Sequence, residues 1–199
     1  HFTGKGGEYF RIWIVNLALT ILTLGIYSAW AKVRRLRYFH GCLHLDGVPF
    51  QYTGNPVAIL KGRLIAYGVL GIYAVMGHFY PLLQGLAGLA LAGLVPLAIV
   101  KALRFHAVNT VYMGLRFDFL GRYGDALRTF VLWMIVVPFT LGLLYPFVVA
   151  RQKAFVVNHH RFGRTPFALD APVREFYRVF GVAALIVVLM GVGGGILAS

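Results

Sequence analysis

Acidic residues are scarce in this sequence. Six Asp and Glu stand against 19 Lys and Arg in 199 residues, a formal net charge of +13. The six are Glu8, Asp46, Asp118, Asp125, Asp170 and Glu175, and all lie outside the long apolar runs. The chain therefore has no carboxylate inside an apolar segment for proton coupling. Asp118 and Asp170 read as partners of neighbouring arginines. Cysteine is nearly absent: Cys42 stands alone and excludes an internal disulfide. No phosphate-binding loop is present, because "GKGG" at 4–7 lacks the required spacing. No signal-peptide pattern opens the chain, since a charged Gly-rich stretch precedes the first apolar run. It begins at His1 and stops at Ser199 in a Gly-rich apolar run, so we read it as part of a longer protein.

Apolar chain is what the sequence has in abundance. Hydrophobic residues make up 59% and charged residues 13%, with a mean hydropathy of +0.75. Soluble domains run nearer 45–50% apolar and about 25% charged. The cation excess then reads as the cytoplasmic Lys and Arg of a membrane protein, meeting anionic head groups, and not as a nucleic-acid surface. Four stretches carry no Lys, Arg, Asp or Glu: 12–31, 64–100, 129–150 and 179–199. About 20 residues cross a bilayer as a helix. The 64–100 stretch is long enough for two crossings, with "GHFYP" at 77–81 as the turn, since Pro81 suits a first helical turn.

The chain repeats itself. Displaced by 117 residues, Phe2 meets Phe119, Gly4 meets Gly121, and Thr23-Leu24-Gly25 meets Thr140-Leu141-Gly142. Arg34 meets Arg151 and Pro49-Phe50 meets Pro166-Phe167 in the same register. This pattern predicts a tandem duplication, with residues 1–118 as the first unit and 119–199 as an incomplete second. A weaker echo lies 67 residues apart. Gly47, Phe50 and Tyr52 match Gly114, Phe117 and Phe119, with a looser third copy at Gly163 and Phe167. Alternating apolar residues around a Gly turn predict three short β-hairpins.

Duplication bears on topology. Three crossings per unit would invert the second copy and place its basic stretch, Arg151 to Arg178, outside, against the positive-inside bias. If 12–31 instead folds back at Thr23-Leu24-Gly25, every basic cluster lands on one side. The loops at 23–25, 78–81, 140–142 and near 192–195, free of Lys, Arg, Asp and Glu, then land on the other. The second arm has six residues from Ile26 before Lys32, about 9 Å of apolar helix. It is either re-entrant or carries snorkelling cations.

The stretch "TLGIYSAWAKVRRLRYFHG" followed by "LDGVPFQYTGNPVAILKGR" resembles the YjgN-like family of bacterial inner-membrane proteins. The resemblance covers most of residues 2–63. It implies a multipass cytoplasmic-membrane location and no assigned reaction. The second copy keeps Thr140-Leu141-Gly142, Arg151 and Phe155. It departs at Leu144, Phe147 and Gln152, where Tyr27, Trp30 and Arg35 stand in the first. Any chemical task of the motif therefore falls to the first copy.

The fold expected is an all-α polytopic membrane protein of tandem helical-hairpin units with short cytoplasmic β-hairpins. The candidate site is the set of cations that recur between units: Arg34, Arg37, Lys101, Arg104, Arg151 and Lys153. Around a pseudo-symmetric bundle they would ring a cavity for an anionic head group. Metal binding is not expected. His40 and His44 flank Cys42 but sit where the helix ends at Gly41, and the adjacent His159 and His160 point different ways on a helix. His78 sits at the charge-free turn. Gly and Ala in 85–93 and the Gly run at 191–195 read as close helix packing. No cofactor is implied. Two functions remain open, binding or transport of an anionic lipid or amphiphile and an accessory role in a membrane complex. Partners would be membrane lipids, another membrane protein or a second copy. An enzyme is the remote third, because no convergent His, Asp or Cys site assembles.

Overall fold

A computed structural model describes residues 1–197. Helices α1 (Gly6–Leu22) and α2 (Ser28–Cys42) form the first antiparallel pair. Their tip is closed by Thr23-Leu24-Gly25, with φ of 50° at Leu24 and 91° at Gly25. The Thr23 hydroxyl donates to the Leu19 carbonyl at 2.7 Å and accepts from the Tyr27 amide at 2.9 Å. The Gly25 amide returns to the Thr20 carbonyl at 2.7 Å. The backbone groups freed by the reversal thus find partners within the tip, while Leu24 stands 95% exposed. A self-satisfied apolar tip is what lipid tolerates.

Long helices α3 (Pro56–Phe79) and α4 (Pro81–Val108) form the second pair, joined at Tyr80. Asn55 caps α3 through its side chain, which accepts from the Val57 amide, and Pro56 and Pro81 open the two helices. At 1.5 Å per residue they span about 36 and 42 Å, beyond the ~30 Å hydrocarbon core. They are the two helices long and apolar enough to cross a membrane among the described residues.

The third pair is irregular on its way out. Helix α5 (Tyr123–Leu127) runs through a π-helical turn at Arg128–Leu132 into α6 (Trp133–Val136) and a 3-10 turn at Pro138–Thr140. Pro138 cannot continue the α-helical ladder. The chain reverses at Leu141 and Gly142, with φ of 51° and 82°, and returns along α7 (Tyr145–Asn158). The Thr140 hydroxyl donates to Val137 and accepts from the Leu144 amide, as Thr23 does at the first tip. Helix α8 (Val173–Leu197) then packs on α7. Its helical backbone passes through 192–195, where a loop was expected.

Strands follow each pair. β1 (His44–Leu45) and β2 (Val48–Pro49) turn at Asp46-Gly47; β4 (Thr110–Tyr112) and β5 (Leu115–Phe119) turn at Met113-Gly114. Positive φ at both residues of each turn (48° and 77°, then 49° and 79°) is the two-residue geometry that matches strand twist. β6 (His160–Phe162) and β7 (Thr165–Pro166) turn at Gly163-Arg164. The expectation of separate hairpins on an all-α body needs correction here. Residues past β2 continue as β3 (Gln51–Tyr52), which pairs with β4, and β5 pairs with β6. The result is one five-stranded antiparallel sheet, β3-β4-β5-β6-β7.

The two ends of each helical pair are tied to one another at its base. The amides of Thr3, Thr53 and Leu120 donate to the carbonyls of Cys42, Asn109 and His159, each at 2.9 Å. Phe2, Tyr52 and Phe119 immediately precede the clamps, and Gly4, Gly54 and Gly121 follow. A Cβ at any of these glycines would overlap the aromatic ring two residues earlier. The second and third pairs therefore leave the five-stranded sheet and return to it, while the first is closed by the Phe2–Leu43 bridge beside the separate β1–β2 ladder. A hydrophobic core lies at the base of the third pair, where Val100, Ala107, Phe119, Ala126 and Phe155 are buried together.

Candidate functional site

The face of α1 that meets α2 carries Tyr9, Trp13, Asn16, Leu17 and Thr20, at helical spacing. The facing side of α2 carries Ser28, Ala31, Lys32 and Arg35. Arg63 reaches in from the second turn of α3. Together they line an open cavity of about 450 Å³. An Arg63 Nη1 donates to the Ser28 hydroxyl and ties α3 to the start of α2. Three cations, Lys32, Arg35 and Arg63, line this space, and no acidic side chain does.

A second space of about 800 Å³ opens between α3 and α4. Its walls are apolar, with Ile59, Val69, Leu70, Leu91 and Leu94 among them, and its basic rim holds Lys32, Arg63 and Lys101. Lys32 and Arg63 border both spaces. A polar, cationic cavity and an apolar groove thus share a wall of positive charge.

Lys32 is held by a chain of hydrogen bonds. An ammonium can only donate, so Lys32 Nζ donates to His106 Nε2 at 3.1 Å. The remaining ring proton then sits on Nδ1 and is donated to the Tyr52 hydroxyl oxygen at 2.9 Å. Burial pushes the Tyr52 hydroxyl above its ordinary pKa, so it stays a neutral phenol. The chain connects the start of the sheet to the cavity wall.

The recurring cations are not brought together as one ring. Arg34 and Arg37 are exposed and line neither cavity. Lys101 reaches the rim of the apolar groove. Arg104 donates to the Phe119 carbonyl at 3.3 Å, at the core junction. Arg151 stacks over the Phe147 ring, 5.1 Å from its centroid, and Lys153 is exposed. Thr23, Leu24, Gly25, Thr140, Leu141 and Gly142 form the two tips. The histidines considered as ligands make local bonds: Nδ1 of His40 donates to Leu36 at 2.7 Å and Nδ1 of His44 to Cys42 at 3.2 Å. Among the described residues no three His, Cys, Asp or Glu side chains converge. Lys32, Arg35 and Arg63 lie outside the recurring set of cations that the sequence offers as the candidate site. The available signal was the helical spacing Ser28, Lys32, Arg35 opposite the lone polar residues Asn16 and Thr20 of an apolar helix.

A family model described as "Bacterial protein of unknown function (DUF898)" matches residues 1–199. The chain belongs to the DUF898 family. Curated relatives of this DUF898 chain are inner membrane protein YjgN of Salmonella typhimurium, 38% identical over 120 residues, and inner membrane protein YjgN of Escherichia coli O157:H7 and of strain K12, each 34% identical over 120 residues. Each match covers 59% of this chain and 30% of the relative. The chain therefore spans under a third of the length of these relatives. No solved structure matches. With the relatives' location and the two long apolar helices, this DUF898 chain is a helical protein of the bacterial inner membrane.

Proposed function

We propose that this chain binds an anionic amphiphile, with the head group among Lys32, Arg35 and Arg63 and the acyl chain in the groove between α3 and α4. The observation that carries the reading is the shared wall. Lys32 and Arg63 face a polar cavity on one side and an apolar groove on the other, with no carboxylate in either lining. Uncompensated cations at a low-dielectric boundary attract an anion strongly. An apolar channel starting at the same two side chains suits its hydrocarbon tail.

The same reading includes the topology and the duplication. Helices α3 and α4 cross the membrane and return. The pairs α1–α2 and α5–α7 dip in and retreat, because 17 and 15 residues give α1 and α2 only about 25 and 22 Å. Closure of every pair at its own base supports an even count of crossings. The positive-inside bias then puts the sheet and the basic helix ends in the cytoplasm. Matching tips 117 residues apart support two copies of one unit.

Reconstitution into nanodiscs of phosphatidylcholine doped with phosphatidylglycerol tests the site, with retained lipid counted by native mass spectrometry. Lys32→Gln with Arg63→Gln should weaken phosphatidylglycerol retention by roughly 100-fold, two charge-assisted contacts at ~1.5 kcal/mol each. Arg34→Gln with Arg37→Gln should leave it unchanged. The opposite result would move the site to the recurring cations on the outer face of α2.

A further inference from the structure

Asn16 is the odd residue of α1. It is 8% exposed, lines the cationic cavity, and its Oδ1 has no hydrogen-bond partner. A buried acceptor left unpaired is costly. The hairpin does not demand an amide there. The equivalent position in the second unit is Trp133, which packs edge-on against Phe147 at 5.0 Å. The neighbouring hydroxyls do not serve it. Thr20 donates to the Asn16 backbone carbonyl at 2.6 Å, and Ser28 accepts from Arg63.

We infer that the head group carries hydroxyl donors as well as negative charge: a polyol or sugar phosphate joined to a lipid. This deepens the function proposed above and rests on it. The three cations supply donors for phosphate oxygens, and the Asn16 carbonyl oxygen takes a ligand hydroxyl. Size agrees. The cavity of about 450 Å³ is many times the ~30 Å³ of one liquid water, far more than a bare phosphate fills. Tyr9 and Trp13 line the same space and add aromatic surface for a polyol's carbon skeleton. The groove beginning at Lys32 and Arg63 selects the acylated form over a free sugar phosphate.

The test compares phosphatidylglycerol with phosphatidic acid of the same chains, each doped into phosphatidylcholine nanodiscs holding the intact protein. The wild type should prefer phosphatidylglycerol by roughly tenfold, the factor expected for one hydrogen bond to a buried acceptor. Asn16→Leu should erase that preference and keep phosphatidic acid binding. Its fold is safeguarded by the apolar residue at the matching position of the second unit, and a melting curve checks it. Equal retention of both lipids by the wild type, or an unchanged preference in Asn16→Leu, overturns the hydroxyl assignment alone. Loss of selectivity for both anionic lipids over phosphatidylcholine overturns the site itself. Free glycerol phosphate should displace neither lipid; displacement at comparable concentration overturns the acylated ligand.

Discussion

At the tip between α1 and α2, Leu24 and Gly25 adopt φ of 50° and 91°; at the tip before α7, Leu141 and Gly142 adopt 51° and 82°. In both, a threonine hydroxyl bonds a carbonyl behind it and an amide ahead of it. The agreement reaches further. Ser28 and Arg63 form a hydrogen bond in the first unit, and the residues 117 positions later, Tyr145 and Phe180, form an edge-on aromatic pair at 5.4 Å. The tip geometry and the position of the contact are the same; the chemistry is not. Asn16, Thr20, Lys32 and Arg35 likewise give way to Trp133, Val137, Val149 and Gln152. One hairpin lines a cationic pocket, and in the other the residue matching Asn16, Trp133, packs edge-on against Phe147. What the two share is therefore scaffold, and what separates them is the candidate site.

The largest expected effect comes from exchanging the matched pairs. Ser28→Tyr with Arg63→Phe gives the first hairpin the contact of the second. We expect a folded protein, within about 1.5 kcal/mol of the wild type in detergent melting, whose anionic lipid retention drops by more than about tenfold. An unfolded double variant would show that the two hairpins are not interchangeable scaffolds.

This comparison also explains what the sequence could reveal. The tips were legible because Thr-Leu-Gly has local meaning: a backbone reversal needing positive φ and a hydroxyl bridge. The strand turns were legible for the same reason at Asp46-Gly47 and Met113-Gly114. Merging of the hairpins into one sheet was not, because β3 meets β4 and β5 meets β6 across whole helical pairs. No local pattern records which edges join. The site was missed through the logic that found the repeat. Arg34 matches Arg151, and at the 67-residue echo Arg34 and Arg37 match Lys101 and Arg104, whereas Lys32 and Arg35 match Val149 and Gln152 in the second unit. The departure at Gln152 was visible, and it pointed to the first copy. Arg63 needed the third dimension, since nothing in the chain ties it to Ser28.

A middle-sized effect separates the clamps. A Cβ at Gly121 would meet the fully buried Phe119 ring and lie 2.9 Å from Phe155. Neither ring can swing away in the packed junction, so Gly121→Ala should destabilise by roughly 1–3 kcal/mol. The matching clash at Gly4 is with Phe2, which is 51% exposed and free to rotate outward. Gly4→Ala should cost well under half as much. Thermal melts of the two variants measure the gap, and equal losses would mean that the first clamp is as tightly packed as the third.

The smallest effect distinguishes the two joints between successive hairpins. At the β3–β4 joint, Gln51 faces Val111; at the β5–β6 joint the matching places hold Asp118 and Arg161. That pair is an ion pair at 2.7 Å, with side chains 34% and 40% exposed. The Arg161 hydrogen bond, helped by the Phe119 amide, holds the Asp118 carboxyl below its ordinary pKa. A carboxyl depressed in the folded state adds stability above its unfolded pKa of about 4, and that stability is lost as pH falls through the folded value. Solvent screening limits the pair to below about 1 kcal/mol. Asp118→Asn should therefore melt slightly below wild type at pH 7, and the two curves should converge under pH 3. Only the second joint carries this acid sensitivity, so a Gln51→Ala control should show a pH-independent difference. A constant offset for Asp118→Asn across the whole range would assign the contribution of Asp118 to packing instead of charge.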